Sequence, residues 1–223
     1  MARKTKDDAQ LTCTALLDAA ERVFFDNGVA GTTLNDIATS AGLTRGAIYW
    51  HFKDKADLLK AMFARAMLPM EAMLNELEQA SSENPLRALR TMCVQALTNL
   101  AQSPEQQRVF SIMFHKCEHV GPLVEILEDK HNKRDECLEQ VRSVLQKAVS
   151  AGHLPADTDV ALAHQTINNF MTGTISEWLF TPQGFALDQC AAAMVDMMMA
   201  GLQACPPRLA EPGLHNPATE TVN

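Results

Sequence analysis

Five side chains between Thr44 and His51 have the chemistry to read a nucleic acid. At helical spacing, Ala47, Ile48 and the following Phe52 turn toward a core, while Thr44, Arg45, Tyr49 and, in part, Trp50 and His51 turn away from it. That outward set can address a DNA groove. Arginine chelates a guanine edge, threonine meets a thymine methyl or a phosphate, and tyrosine and histidine donate to phosphate oxygens. Gly46 and Ala47 are small enough to let such a helix approach the bases. Thr33 and Lys55, one on each side of the stretch, add two expected phosphate contacts.

These groups need a rigid mount, and the flanking residues specify one. Thr33 is placed to cap a short helix, with Asp36 three residues on to complete a reciprocal capping box. Leu34, Ile37, Ala38 and Ala41 then share one face, and Gly42 stands where a left-handed residue ends the helix. Thr44 caps the next. Two short helices about a glycine turn make a helix-turn-helix. Upstream, Leu11 to Asn27 forms a bracing helix with Leu16, Leu17, Ala20, Val23 and Phe24 on one side, preceded by Arg3, Lys4 and Lys6, expected to stay flexible until DNA supplies a partner.

The net charge of −8 at first argues against a polyanionic partner. Its distribution does not: through Lys60 there are eight Lys and Arg against eight Asp and Glu, and beyond it eleven against nineteen. Local clusters govern docking on DNA more than overall charge. The chain of 223 residues, 47% hydrophobic, can bury a sizeable core. It has no apolar run long enough to cross a bilayer and no signal-peptide core behind its basic start, which places it in the cytoplasm without a membrane partner. Six scattered cysteines without a C-x-x-C pair read as reduced thiols.

The remainder is helical throughout, without β alternation or repeats. A long helix from Asp54 to about Gln79 carries Pro69, a candidate bend, and the boundary between two functional parts is expected within it. Further helices run from Pro85 to about Gln102, from Ser103 to near His119, from Pro122 to Ala151, from Asp157 to Phe180 and from Leu187 to about Ala204. The tail from Pro206 to Asn223 is expected to be disordered.

The motif Thr-Thr-Leu-x-Asp-Ile-Ala at Thr32 to Ala38, with Ala-Gly-Leu-Thr-Arg-Gly-Ala-Ile-Tyr-Trp-His-Phe at Ala41 to Phe52, resembles the TetR family of transcriptional repressors. Arg3 to Lys6 and His115-Lys116-Cys117-Glu118 are similar to its multidrug-efflux branch. The resemblance implies an all-α fold of about nine helices: a three-helix DNA-binding domain over 1–55, an effector-binding and dimerisation domain over 56–205, and a tail over 206–223. It implies a dimer on a palindromic DNA operator, released by a small hydrophobic drug or metabolite such as an antibiotic, dye or plant phenolic. A TetR-like regulator of a metabolic operon, or one responding through the Cys117 thiol, are the alternatives.

Three C-terminal features have two readings each. His115, Cys117 and His119 are potential metal ligands, but no further Cys/His pair completes a tetrahedral site, so no metal or cofactor is expected. Basic groups at a helix C-terminus, near the negative end of its dipole, are the favoured reading of the string. Met92, Cys93, Ala96, Phe110, Phe114, Cys137, Val141, Asn168, Met171 and Thr172 occupy inward stripes, as ordinary core or as an adaptable apolar site with polar Asn168 and Thr172 to orient a guest. The resemblance favours the site. Ile175, Trp178, Leu179, Met194, Met197, Met198, Gly201 and Leu202 either pack within one chain or pair with a second copy as a four-helix interface. No phosphate loop, nucleophile–base pair or complete metal set is present in the sequence, so the chain is not read as an enzyme.

Overall fold

The computed structural model describes residues 6–117, 139–182 and 184–209. Helix α1 spans Lys6–Asn27. It begins before the expected Leu11 because Asp7 and Asp8 sit in its first turn, where acidic groups favour the helix dipole, and Thr12 bonds back to the Asp8 carbonyl at 2.8 Å. Lys6 therefore belongs to the helix. Helix α2 (Leu34–Ser40) starts with the expected capping box: the Asp36 amide donates to the Thr33 hydroxyl at 3.2 Å, and the Thr33 amide donates to the Asp36 carboxylate at 2.9 Å. Gly42, at φ +67°, closes it, and the Leu43 amide returns to the Ala38 carbonyl at 2.9 Å. Helix α3 (Arg45–His51) is capped by the Thr44 hydroxyl.

Helix α4 (Lys55–Ala80) is continuous through Pro69, which has no N–H for the carbonyl four residues back. Helices α5 (Pro85–Gln102) and α6 (Pro104–Ser111) start at Asn84 and Ser103 caps with proline in the first turn, a position where its missing donor costs nothing. An unbroken α-helix to near His119 was expected. Instead α6 widens into a π-helical turn over Ile112–Lys116, and Cys117 is extended. Helix α7 covers 139–150, α8 Val160–Phe180 and α9 Leu187–Ala204. Among the described residues there is no strand, only an isolated bridge between Thr158 and Arg208. This is the all-α architecture expected. Arg3, Lys4, Glu118, His119, Cys137, the helix start expected at Pro122 and 210–223 lie outside the described residues.

Two apolar cores divide the chain. The N-terminal core joins α1, α2, α3 and the first half of α4, with Phe24, Ile37, Ile48, Leu58 and Met62 fully buried. The second joins the end of α4 to α5, α7, α8 and α9. Helix α6 serves both: Val109 and Ile112 enter the first core, whereas Phe110 and Phe114 pack on the second. Residues just beyond α9 are also held, contrary to the expectation of a free tail from Pro206. The Asp159 amide donates to the Pro207 carbonyl at 2.8 Å, the Leu209 amide donates to the Asp157 carbonyl at 2.9 Å, and Arg208 pairs with Asp157.

A Cβ added at Gly42 would meet nothing within 4 Å, so replacement tests backbone conformation alone. Gly42→Ala is expected to destabilise the protein by about 1–2 kcal/mol, the usual penalty for a left-handed L-residue, as a lower midpoint in thermal unfolding.

Candidate nucleic-acid interface and effector core

Helix α3 is fastened from behind. Ile48 is fully buried and Phe52 nearly so, which leaves Thr44, Arg45, Gly46, Tyr49 and Trp50 exposed, Ala47 and His51 half-buried, and Trp50 at 72% of its full exposure. Trp50 thus adds a large aromatic surface to the face that carries Arg45 and Tyr49. Arg45 lies over the Tyr49 ring, 5.5 Å from its centre, and Trp50 meets His51 edge-on at 4.5 Å, so the outward side chains brace one another. At Gly46 an added Cβ would find only the Thr44 hydroxyl, at 3.9 Å, so the free chain has no steric need for glycine there. Thr33 is exposed, but its hydroxyl is engaged in the α2 cap, and hydrogen bonding to Thr33 holds the Asp36 carboxyl below its ordinary value.

Lys55 departs from the expected phosphate contact. Its ammonium donates to the Val29 carbonyl at 2.7 Å and the Thr32 carbonyl at 3.0 Å, tying the start of α4 to the turn between α1 and α2. Half-buried against two carbonyls of that turn, this lysine is a strut.

In the second core Cys93 and Val141 are buried and Met92, Phe110, Phe114 and Met171 pack half-buried against it, while Ala96 is buried and Asn168 and Thr172 are half-buried outside that cluster. Phe110 and Phe114 stack with ring centres 6.3 Å apart. Burial pushes the Cys93 thiol up to about 12, so it is an inert apolar group at neutral pH. A cleft opens between α4, α5, α6 and α8, lined by Ala66, Pro69, Met70, Met73, Ala96, Asn99, Leu100, Gln106, Phe110 and Ile175. Its volume is about 20 Å³, room for a single water. Of the expected site residues described, Ala96 and Phe110 reach this cleft. Asn168 and Thr172 are not among its lining, and the α4 residues that are went unrecognised because methionines near a proline read as plain helix.

The expected pairing surface divides. Trp178, Leu179 and Leu202 are buried in their own chain, and the Trp178 indole donates to the Phe185 carbonyl at 3.1 Å, which corrects the expectation that they face a second copy. Ile175, Met194 and Met198 are half-buried against the same core. Met197 and Gly201 do face outward, as does Phe180, which the sequence reading did not single out. His115 is engaged rather than poised for a metal: its Nε2 lies 3.0 Å from the Ser176 carbonyl, and its ring packs on Phe180.

One polar cluster escaped the sequence reading. Glu21, 2% exposed on the apolar side of α1, pairs with Arg65 of α4. Arg65 also contacts Asp18 at 2.8 Å and Glu105 of α6 at 3.5 Å, while Arg108 of α6 stands 3.6 Å from the second Glu21 oxygen. Asp18, Glu21 and Glu105 are close enough together to suggest a metal site, but the Arg65 guanidinium fills the role of cation. Burial pushes the Glu21 carboxyl above its ordinary value, outweighing the pull of Arg65. The available signal was an acid inside the Leu17, Ala20, Phe24 stripe.

Residues 16–62 match the family of bacterial regulatory proteins named tetR, and residues 84–204 match the C-terminal region of MAATS-type transcriptional repressors. The chain is 35% identical to the HTH-type transcriptional regulator AcrR of Shigella flexneri over 219 residues, 98% of this chain and 99% of that protein. Among solved structures it is similar to NalD, the secondary repressor of the MexAB-OprM multidrug efflux pump in Pseudomonas aeruginosa, with 30% identity, a TM-score of 0.75 and coverage of 88% of this chain and 98% of that one. It is also similar to SmeT, repressor of the Stenotrophomonas maltophilia pump SmeDEF, in complex with triclosan, at 27% identity, a TM-score of 0.74 and 96% and 99% coverage.

Removing one partner of a buried ion pair strands the other, so Arg65→Met is expected to cost about 3–5 kcal/mol in chemical denaturation. Glu21→Gln keeps a hydrogen-bonding side chain and should cost far less. The raised Glu21 pKa means that the folded state holds the proton more tightly. Its contribution to stability is therefore complete below the unfolded-state value and is lost as pH rises through the folded-state value. Measured across that window, the melting temperature of Glu21→Gln should gain on the wild type as pH rises.

Proposed function

The chain belongs to the TetR family of bacterial transcriptional regulators, and from that premise we propose that it is a cytoplasmic homodimeric repressor of a multidrug efflux operon, released from DNA by a small apolar drug or metabolite. It acts by binding, not by catalysis. The observation that carries the reading is the outer face of α3, where Thr44, Arg45, Tyr49 and Trp50 stay in solvent over a buried Ile48. Arg45 and Thr44 read base edges; Tyr49, Trp50 and His51 hold the sugar–phosphate backbone; Gly46 and Ala47 allow close approach. Control of an efflux pump is supported by what NalD and SmeT repress, and a hydrophobic inducer by the triclosan held by SmeT.

The inducer enters the cleft among α4, α5, α6 and α8. At about 20 Å³ that cleft admits no drug without rearrangement, so the guest displaces Met70, Met73 and Phe110, flexible or aromatic side chains that can repack around varied shapes. Binding selects an opened core and, through α4, a different separation of the two recognition helices. Two copies associate through α8 and α9, where Phe180 is 73% and Met197 69% exposed, and the two-fold dimer matches half-sites about 34–36 Å apart or multiples of that.

Fluorescence anisotropy on the DNA upstream of the chain's own gene tests the reading at fixed salt. Arg45→Ala should weaken specific binding by about 1–3 kcal/mol and relax base preference at one position, while nonspecific affinity changes little. Unchanged affinity and preference would remove Arg45 from base reading, and wild-type protein that distinguishes no sequence would overturn the repressor reading.

A further inference from the structure

Helix α6 has two working sides. Gln106 and Phe110, one turn apart, line the cleft. Glu105, Arg108, Val109 and Ile112, at the complementary helical spacing, face α1 and α4: the first two through ions, the last two through the N-terminal core. The π-helical turn extends the same division. Phe114 packs on the second core and His115 meets Ser176 of α8, while the Lys116 ammonium bonds the Phe25 carbonyl of α1 and stands 4.4 Å from the Phe25 ring centre. The Lys116 carbonyl in turn accepts from the Val29 amide at 3.3 Å. Helix α1 is thus held by α6 at two points, near its middle through Glu21 and at its end through Lys116.

The two grips differ in tightness. Lys116 is hydrogen-bonded, whereas Arg108 is 3.6 Å from Glu21, and the buried Nε atoms of Arg108 and Arg65 have no hydrogen-bond partner among the described residues. A polar cluster whose donors are incompletely matched is held less firmly than one in which every donor is paired.

We propose that Arg108 is the positioning residue through which a guest in the cleft reaches the DNA-binding helices: displacement of Phe110 turns α6, Arg108 is drawn from Glu21, and α1 shifts the helix-turn-helix it braces. Arg65, shared by Glu21 and Glu105, carries the same movement into α4. The proposal rests on the repressor reading above, but its test separates the two.

The probe is a built-in guest. Ala96 lines the cleft, and Ala96→Met fills more space than the cavity offers, so it forces Phe110 aside without an added ligand. Operator affinity is measured by anisotropy for the wild type, Ala96→Met, Arg108→Met and the double variant, with folding verified by circular dichroism. Arg108→Met alone should bind operator within about twofold of wild type, and Ala96→Met should weaken binding about tenfold, inside the usual range of allosteric coupling. In the double variant that factor should fall below about twofold, and Arg108→Lys, which restores the charge, should recover part of it. An equal loss from Ala96→Met with or without Arg108, or no loss in either background, overturns the proposal. If Ala96→Met does not fold, Ala96→Val serves as the smaller filler with the same criteria. Wild-type protein that fails to select its operator strikes the repressor reading instead.

Discussion

A carboxylate kept out of water sets the terms for this structure. Glu21 sits on the apolar side of α1 at 2% exposure, and an ion so placed is tolerable only when oppositely charged groups come to it. Arg65 and Arg108 do so from two other helices, and Asp18 and Glu105 gather around Arg65. Apolar contacts alone would let α1, α4 and α6 slide or rotate by small amounts with little penalty. The charged groups fix their register. Such a cluster contributes less to net stability than to uniqueness, since burial of Glu21 outweighs what its partners supply.

That register explains why the two cores are not independent. Helix α4 enters both, contributing Leu58, Leu59 and Met62 to one and Leu74 and Leu77 to the other, and α6 lies across the junction with one side committed to each. The reading face of α3 hangs from the first core by Ile48 and Phe52, while the cleft belongs to the second. Change in the second core therefore meets the first through solid contacts. The near-filled cleft has the same import: a core packed this closely answers a guest by moving helices, because it has no slack in which to absorb one.

Local structure was legible in the sequence wherever one residue type had a single physical job. Thr33 with Asp36, Gly42, Thr44, Pro85 and Ser103 each announced a helix end, and each stands there. The outward chemistry of α3 followed from periodicity alone. What escaped depended on long-range contacts. Lys55 reads as a surface cation, and only the fold brings the Val29 and Thr32 carbonyls to it. Trp178 reads as sticky surface until α9 covers it. Nothing in Ile112 to Lys116 signals a π-helical turn, because the added residue satisfies contacts on two sides of the helix at once. Glu21 was visible as an acid in an apolar stripe, but its partners, 44 and 87 positions away, were not.

Pro69 has a further consequence. It withholds the amide that would have bonded the backbone carbonyl of Arg65, four residues earlier, so α4 lacks one rung of its ladder at the residue whose side chain clasps α1. The point where α4 is fastened to α1 is therefore also the point where bending the helix breaks no backbone hydrogen bond.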